Sequence, residues 1–428
     1  MRKTKMFTAI FAALAMFSCQ NEEGLISEGV MGEDTYAGVT VSFPKTMTKA
    51  ADETAASTLE STVKSLGVYV IDNASNIMHS NVYESSEFTE NAGVYTLNAA
   101  LKTTTGTKNV YVVLNPSTEL MQKINSTSFG IANPLVGSGD VFKLTDALTM
   151  SSVKTVSASL TTPQAAAAAL AAPVEVSVQR NTAKVALRNQ MAVATAATGG
   201  AIANLQFALT TQATKSYLIQ QGGNLLTNVV TPATDIEAAA ELPNYFSNYK
   251  SPGTYTAVSA KDAAYNILAG HYCTENVNAK NFTGNTTAAI IKAQFTPTDG
   301  TVVTAYNQAT DTRTMGNLTP GTSFYVKKSD NSYWSAAAYI SADVAADFSA
   351  EYVEGTGYYR IWVQDEAGER GVLRNNYYVM DITAINGPGS PVIPGTEEDI
   401  TDPVEEDTYV SVKVTILPWD VQNSDHEI

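Results

Sequence analysis

The sharpest pattern in the chain lies near its end. Over residues 409–417, Val410, Val412, Val414 and Ile416 fall on one face, and Ser411, Lys413 and Thr415 on the other. Strict alternation of this kind predicts a half-buried β-strand. Residues 39–43 repeat it in miniature, with Val39, Val41 and Phe43 on one face and Pro44 as a stop. Further strand patterns occur at 65–71, 94–97, 109–114, 174–178, 183–187, 205–209, 288–295, 324–327, 358–363 and 377–385. Turn residues separate them at the spacing of a β-sandwich, and no fixed-period repeat is present. One short helix is predicted over 117–124, with Asn115 as its N-cap and Pro116 at the first helical position. Residues 20–35 read as a tether, and 45–62 as a polar loop with no packing signal.

The break between Pro163 and Pro173, filled mostly by alanine, is the best domain boundary. It reads equally as a linker helix or an extended hinge. The expectation is a mainly β protein with two tandem β-sandwich domains, 50–170 and 171–428, and a few short helices. The second domain ends in a Gly-, Pro- and acid-rich linker, 386–408, that leads to the strand at 409–417. That strand must bury its apolar face, either by folding back on its own domain or by adding to another subunit's sheet.

The N-terminus changes the picture. Arg2, Lys3 and Lys5 precede an apolar run over residues 6–17, too short to span a bilayer as a helix. Ser18, Cys19 and a polar stretch follow. This predicts a secretory signal at 1–18, with Cys19 at a lipobox-like cleavage point where it would receive a lipid. Met16 and Phe17 stand where Leu and a small residue are usual, so ordinary signal cleavage beside an incidental Cys is the alternative.

Composition mainly excludes. Among 428 residues, 42 acids outweigh 26 bases, for a net charge of −16. No basic stripe is available to neutralise phosphates, which argues against nucleic-acid binding. The +3 of residues 2–5 and the −3 of residues 19–49 cancel, so the acidity belongs to 50–428. Two Cys exclude a disulfide scaffold, and three scattered His give no metal site. Cys273 reads as a buried thiol rather than a nucleophile. No nucleophile elbow, zinc-protease helix, phosphate loop or dinucleotide fingerprint occurs, so no enzyme activity and no cofactor are expected.

A signal with a lipid-type Cys, an alternating first strand, a basic residue in a polar loop, two β domains and a Gly-Pro-Gly linker before a Val-rich strand ending in Trp419 together resemble the Bacteroidales fimbrillins. These are the FimA/Mfa-type pilins of the type V pilus. The stretches that carry the resemblance are 65–72, 108–116, 174–187 and 377–389 with 410–419.

The resemblance implies sandwiches of transthyretin-like, Greek-key kind and a structural role, foremost as a shaft subunit. The precursor would be lipidated at Cys19 and held at the outer membrane. A surface protease would remove the propeptide 19–49 with its strand at Val39, Val41 and Phe43. The C-terminal strand of an identical or homologous subunit (Val410, Val412, Val414, Ile416, Trp419) would then fill the vacated slot, and the mature subunit would be extracellular in the fimbria.

In the best-known members the cut follows Arg. Here no Arg lies between Arg2 and Arg180, and Lys49 before Ala50 matches the position, with Lys45 as second choice. That implies a trypsin-like protease. The alternatives are a tip or anchor subunit, or a surface lipoprotein binding glycans or host protein.

Overall fold

Alternation along the sequence becomes two packed β lobes. The computed structural model describes residues 32–43, 58–126, 136–137, 146–214, 216–219, 246–248, 251–264, 268–278, 281–342, 345–365, 367–396, 402–404 and 409–418. Cys19, Lys45, Lys49, Ala50 and Trp419 lie outside these residues.

The first lobe contains β1 (Asp34–Ala37), β2 (Val39–Ser42), α1 (Thr58–Ser61), β3 (Ser65–Asp72), β4 (Met78–Glu84), β5 (Phe88–Asn91), β6 (Val94–Leu97), β7 (Leu101–Thr104) and β8 (Gly106–Leu114). It continues through α2 (Thr118–Ser126), β9 (Met150–Ser152), β10 (Val156–Leu160), α3 (Ala166–Ala171) and β11 (Val174–Arg180). Its main sheet has the order β4-β3-β8-β9-β11-β2-β6-β5, with β10 also paired to β8, while β1 pairs with β7. The inward residues of these strands, Val68, Val70, Val110, Val112, Val176 and Val178 among them, form one core.

The second lobe begins with β12 (Thr182–Asn189) and β13 (Gly200–Thr210), followed by β14 (Gly270–Thr274) and β15 (Ala288–Pro297). An excursion then forms β16 (Val302–Asn307), β17 (Thr312–Gly316), β18 (Phe324–Val326), β19 (Tyr333–Ser335) and α4 (Ala336–Ala342). The chain returns through β20 (Thr356–Trp362), β21 (Asn376–Ile385) and β22 (Val410–Pro418). One sheet runs β14-β12-β21-β22, and a second contains β13-β15-β20. The second core lies between them and includes Val185, Leu187, Phe207, Ile291, Tyr359, Tyr378 and Met380.

The structure departs from the sequence expectations at several points. Val174–Arg180, expected beyond the domain boundary, pairs with β9 and β2. Its valines belong to the first core, and the second core begins at Ala183. The alanine-rich stretch includes the helix α3, which is docked rather than hanging between lobes: Gln164 N donates to Thr35 Oγ1 at 2.9 Å and its amide Nε2 to Tyr36 O at 2.8 Å. Asn115 does not cap α2. It has φ +51°, and its side chain accepts from Lys64 N and donates to Thr62 O and Leu148 O. Ser117 Oγ accepts from Leu120 N instead.

The junction between lobes is polar and buried. Glu60 of α1, in the stretch read as a loop, accepts from Lys184 Nζ at 2.8 Å and from Tyr272 OH at 2.7 Å. Its carbonyl accepts from Arg180 Nε and Nη2. Leu218 O accepts from Ser151, Asn181 and Arg374, and so joins both lobes. The parallel pair β12–β21 is stapled twice. Lys184 Nζ sits 4.6 Å from the Tyr377 ring centroid, and Arg188 binds Asp381 through two hydrogen bonds of 2.8 and 2.9 Å.

Candidate assembly site

The strand at 39–43 is not at an edge. β2 lies inside the main sheet, parallel to β11 and antiparallel to β6. Val41 is in register with Val176 on one side and Tyr95 on the other. Val39 and Val41 are 0% exposed, and Phe43 meets the Tyr95 ring edge-on at 6.0 Å. Removing this segment would leave a gap between β11 and β6 with two unpaired backbone ladders and an apolar floor.

The inserted segment is longer than the pattern showed. Thr35 and Ala37 on β1 are also buried, so Thr35, Ala37, Val39 and Val41 form one inward row across both pairings. The tether reading of 20–35 missed β1 because Thr35 and Ala37 are too small and polar to register as a hydrophobic pattern. Gly38 joins the two strands where α3 approaches: a Cβ there would stand 2.2 Å from Ala169 O. The substitution Gly38→Ala is therefore expected to lower precursor stability by about 1–3 kcal/mol, as overpacking does. Thermal melts of the two precursors measure it, and an unchanged Tm would show that α3 yields without cost.

The far end of the slot is pinned by a buried ion pair. Lys108 Nζ, fully buried at the β7–β8 turn, binds Asp72 and also donates to Thr104 Oγ1 at 2.9 Å. Partial burial pushes the Asp72 carboxyl up, but hydrogen bonds from Lys108 and Ser75 outweigh it and bring it down to about 2. Asp72 is thus a carboxylate at every pH a bacterial surface meets, while burial and the nearby Lys108 lower the pKa of His79 beside it.

The second candidate element, β22, lies at the edge of its sheet, antiparallel to β21 over Asn376–Ile385, with a bulge between Ile382 and Ala384. Val410, Val412, Val414 and Ile416 pack on the second core but are only half-buried, while Ser411 and Lys413 face solvent. The strand folds back on its own lobe here, one of the two options its sequence left open.

Cys273 points into the second core, and burial pushes its thiol up to about 12. His271 Nε2 lies 3.2 Å from Phe207 O. Among the described residues, no three His, Cys, Asp or Glu side chains gather as a metal site. No described helix is long and apolar enough to cross a membrane.

Residues 350–425, which contain β21 and β22, match the family model of the type IV major fimbrial subunit protein, fimbrillin, C-terminal region. The fold agrees with it. A crystal structure of a candidate cell adhesion protein from Parabacteroides distasonis superposes with a TM-score of 0.51 at 18% identity, covering 92% of this chain and 100% of that one. A second such protein from the same organism gives 0.51 at 14% identity, with 91% and 98% covered. The fimbrilin FimA of Porphyromonas gingivalis gives 0.50 at 17% identity, with 91% and 99% covered. At these identities the likeness establishes the shared fold, and the match over residues 350–425 bears out the resemblance to the fimbrillins read from the sequence. No curated protein sequence matches the chain significantly.

Proposed function

We propose that this protein is a structural fimbrial subunit, exported as a lipoprotein and assembled by strand exchange. The observation that carries the reading is the position of β2: an N-terminal strand inside a sheet, between β11 and β6, whose loss opens a slot.

Cleavage after Lys49 would fall between β2 and α1. It would release the whole slot segment while Glu60, tied to Arg180, Lys184 and Tyr272, anchors the new N-terminal stretch. The vacated slot matches β22 in chemistry, since both elements present apolar side chains at every second position. Burial favours the exchange. The four apolar residues of β22 are half-buried at rest, whereas Val39 and Val41 of β2 are fully buried, and full burial of an aliphatic side chain is worth about 1.5–3 kcal/mol. A head-to-tail contact of this kind does not close and therefore builds a filament.

A removable N-terminal strand and a donor-like C-terminal strand are the two elements a shaft subunit needs, and they support that reading over a tip or anchor. On this reading the precursor is lipidated at Cys19 at the outer membrane, a trypsin-like surface protease processes it, and its partners are identical or homologous subunits. Electron microscopy of purified precursor before and after limited trypsin treatment tests the proposal. Filaments are expected only after the cut, with mature subunits starting at Ala50. Fibre subunits that begin at Cys19 or Gln20 would refute processing at Lys49.

A further inference from the structure

The C-terminal linker, read from the sequence as 386–408, is in its first part built into the second lobe. Tyr359 OH donates to Gly387 O and Tyr352 OH to Gly389 O, each at 2.9 Å, and both phenols are buried. Tyr358 and Ser390 exchange two backbone hydrogen bonds of 2.8 Å. Gly357 lets the linker lie directly on β20: a Cβ there would stand 1.8 Å from Pro388 O. Gly389, at φ +70°, passes equally close, 2.5 Å from Tyr358 O by the same measure. Tyr352 is itself fixed by stacking on Phe324 at 4.6 Å. Burial raises the Tyr352 phenol above its ordinary value, so it stays a donor.

Farther along, Asp402 O accepts a hydrogen bond from Thr283 N at 3.0 Å, beside the Phe282–Pro403 bridge. Tyr409 O accepts one from Asn386 N at 2.7 Å.

We infer that Tyr352 and Tyr359 are positioning residues for assembly: they fix Gly387–Ser390 as the root of the C-terminal arm, and the arm departs only beyond it. The inference rests on the strand-exchange reading and adds where the exchanged segment begins. It also sets a reach. From Ser390 to Val410 the fully extended chain spans about 70 Å, which bounds the distance between a subunit's root and its neighbour's slot.

Two engineered disulfides in the full chain separate this inference from the reading beneath it. Tyr358→Cys with Ser390→Cys locks the root, where the hydrogen-bonded pairing suits a disulfide. Val379→Cys with Thr415→Cys locks β22 to β21. After oxidation and limited trypsin treatment, the root-locked protein should form filaments within twofold of the unmodified yield. The β22-locked protein should form none until a reductant is added.

Filament loss in the root-locked protein, restored by reductant while the β22 lock behaves as stated, overturns the root and leaves strand exchange standing. Filaments from the oxidised β22-locked protein overturn strand exchange itself, and the root with it. The phenols are tested by Tyr352→Phe with Tyr359→Phe. Hydrogen exchange at the Ser390 amide should accelerate tenfold or more, and the 358–390 disulfide should reverse the gain. Unchanged exchange would remove the two tyrosines from the role.

Discussion

A chain lacking residues 408–428 is expected to fold and to form no filaments. β22 is an edge strand, and the lobe beneath it keeps its own support. β21 stays paired with β12, and the fully buried residues of the second core come from other strands. The deletion uncovers one face of four half-buried positions, at a cost of a few kcal/mol by area, or on the order of 10 °C in Tm. Circular dichroism at 25 °C should report a folded β protein that has lost only the strand deleted, and electron microscopy after limited trypsin treatment should find no fibres. Val412→Asp with Val414→Asp gives the same outcome at full length, because a slot that holds Val39 and Val41 at zero exposure cannot take a carboxylate unpaired. Fibre yield equal to that of the unmodified chain would sink the donor assignment.

A chain running from Ala50 to Asp407 should be destabilised sharply and rescued in trans. It lacks both the strand that fills the slot and the one proposed to replace it. Losing Ala37, Val39, Val41 and the half-buried Phe43 removes on the order of 5 kcal/mol of apolar burial, and the freed ladder bonds add to the loss. For a lobe of this size that corresponds to about 10–20 °C in Tm. A synthetic peptide of residues 408–428 should recover most of it at saturating concentration, since a ligand of the folded state alone stabilises by mass action. A peptide with Val412→Asp and Val414→Asp should recover nothing. No shift with either peptide would mean that the slot does not receive this strand.

How much of this was legible depended on which residues carried the signal. The strands at 39–42, 65–72, 376–385 and 410–418 were readable because Val, Ile and Tyr are frequent in them, alternating at 39–42 and 410–416 and in near-continuous apolar runs at 65–72 and 376–385. Tyr358 was placed on a strand, but the hydroxyls of Tyr352 and Tyr359 gave no hint that they would hold a linker. Glu60 was invisible for a related reason. A single carboxylate among small polar residues looks like solvent-exposed loop until Arg180, Lys184 and Tyr272, all more than a hundred positions away, close around it. The boundary at Pro163–Pro173 was drawn on composition. What decides where one core ends is which sheet a strand pairs with, and Val176 is paired with Val41, far upstream. Asn115 had the sequence of a cap, and tertiary hydrogen bonds to Thr62 and Leu148 drew its side chain elsewhere.

The continuity of β11 and β12 through Asn181 has a mechanical consequence. In a fibre assembled as proposed, tension from one neighbour enters through the slot wall and pulls β12 from its N-terminal end. Tension toward the other neighbour leaves through the arm and pulls β21 from its C-terminal end. Because these two strands are parallel, from Lys184 beside Tyr377 to Asn189 beside Ile382, opposite pulls load every rung of the ladder together in shear rather than one at a time. The Lys184–Tyr377 and Arg188–Asp381 staples sit near the two ends of that ladder, where a sliding failure would have to begin.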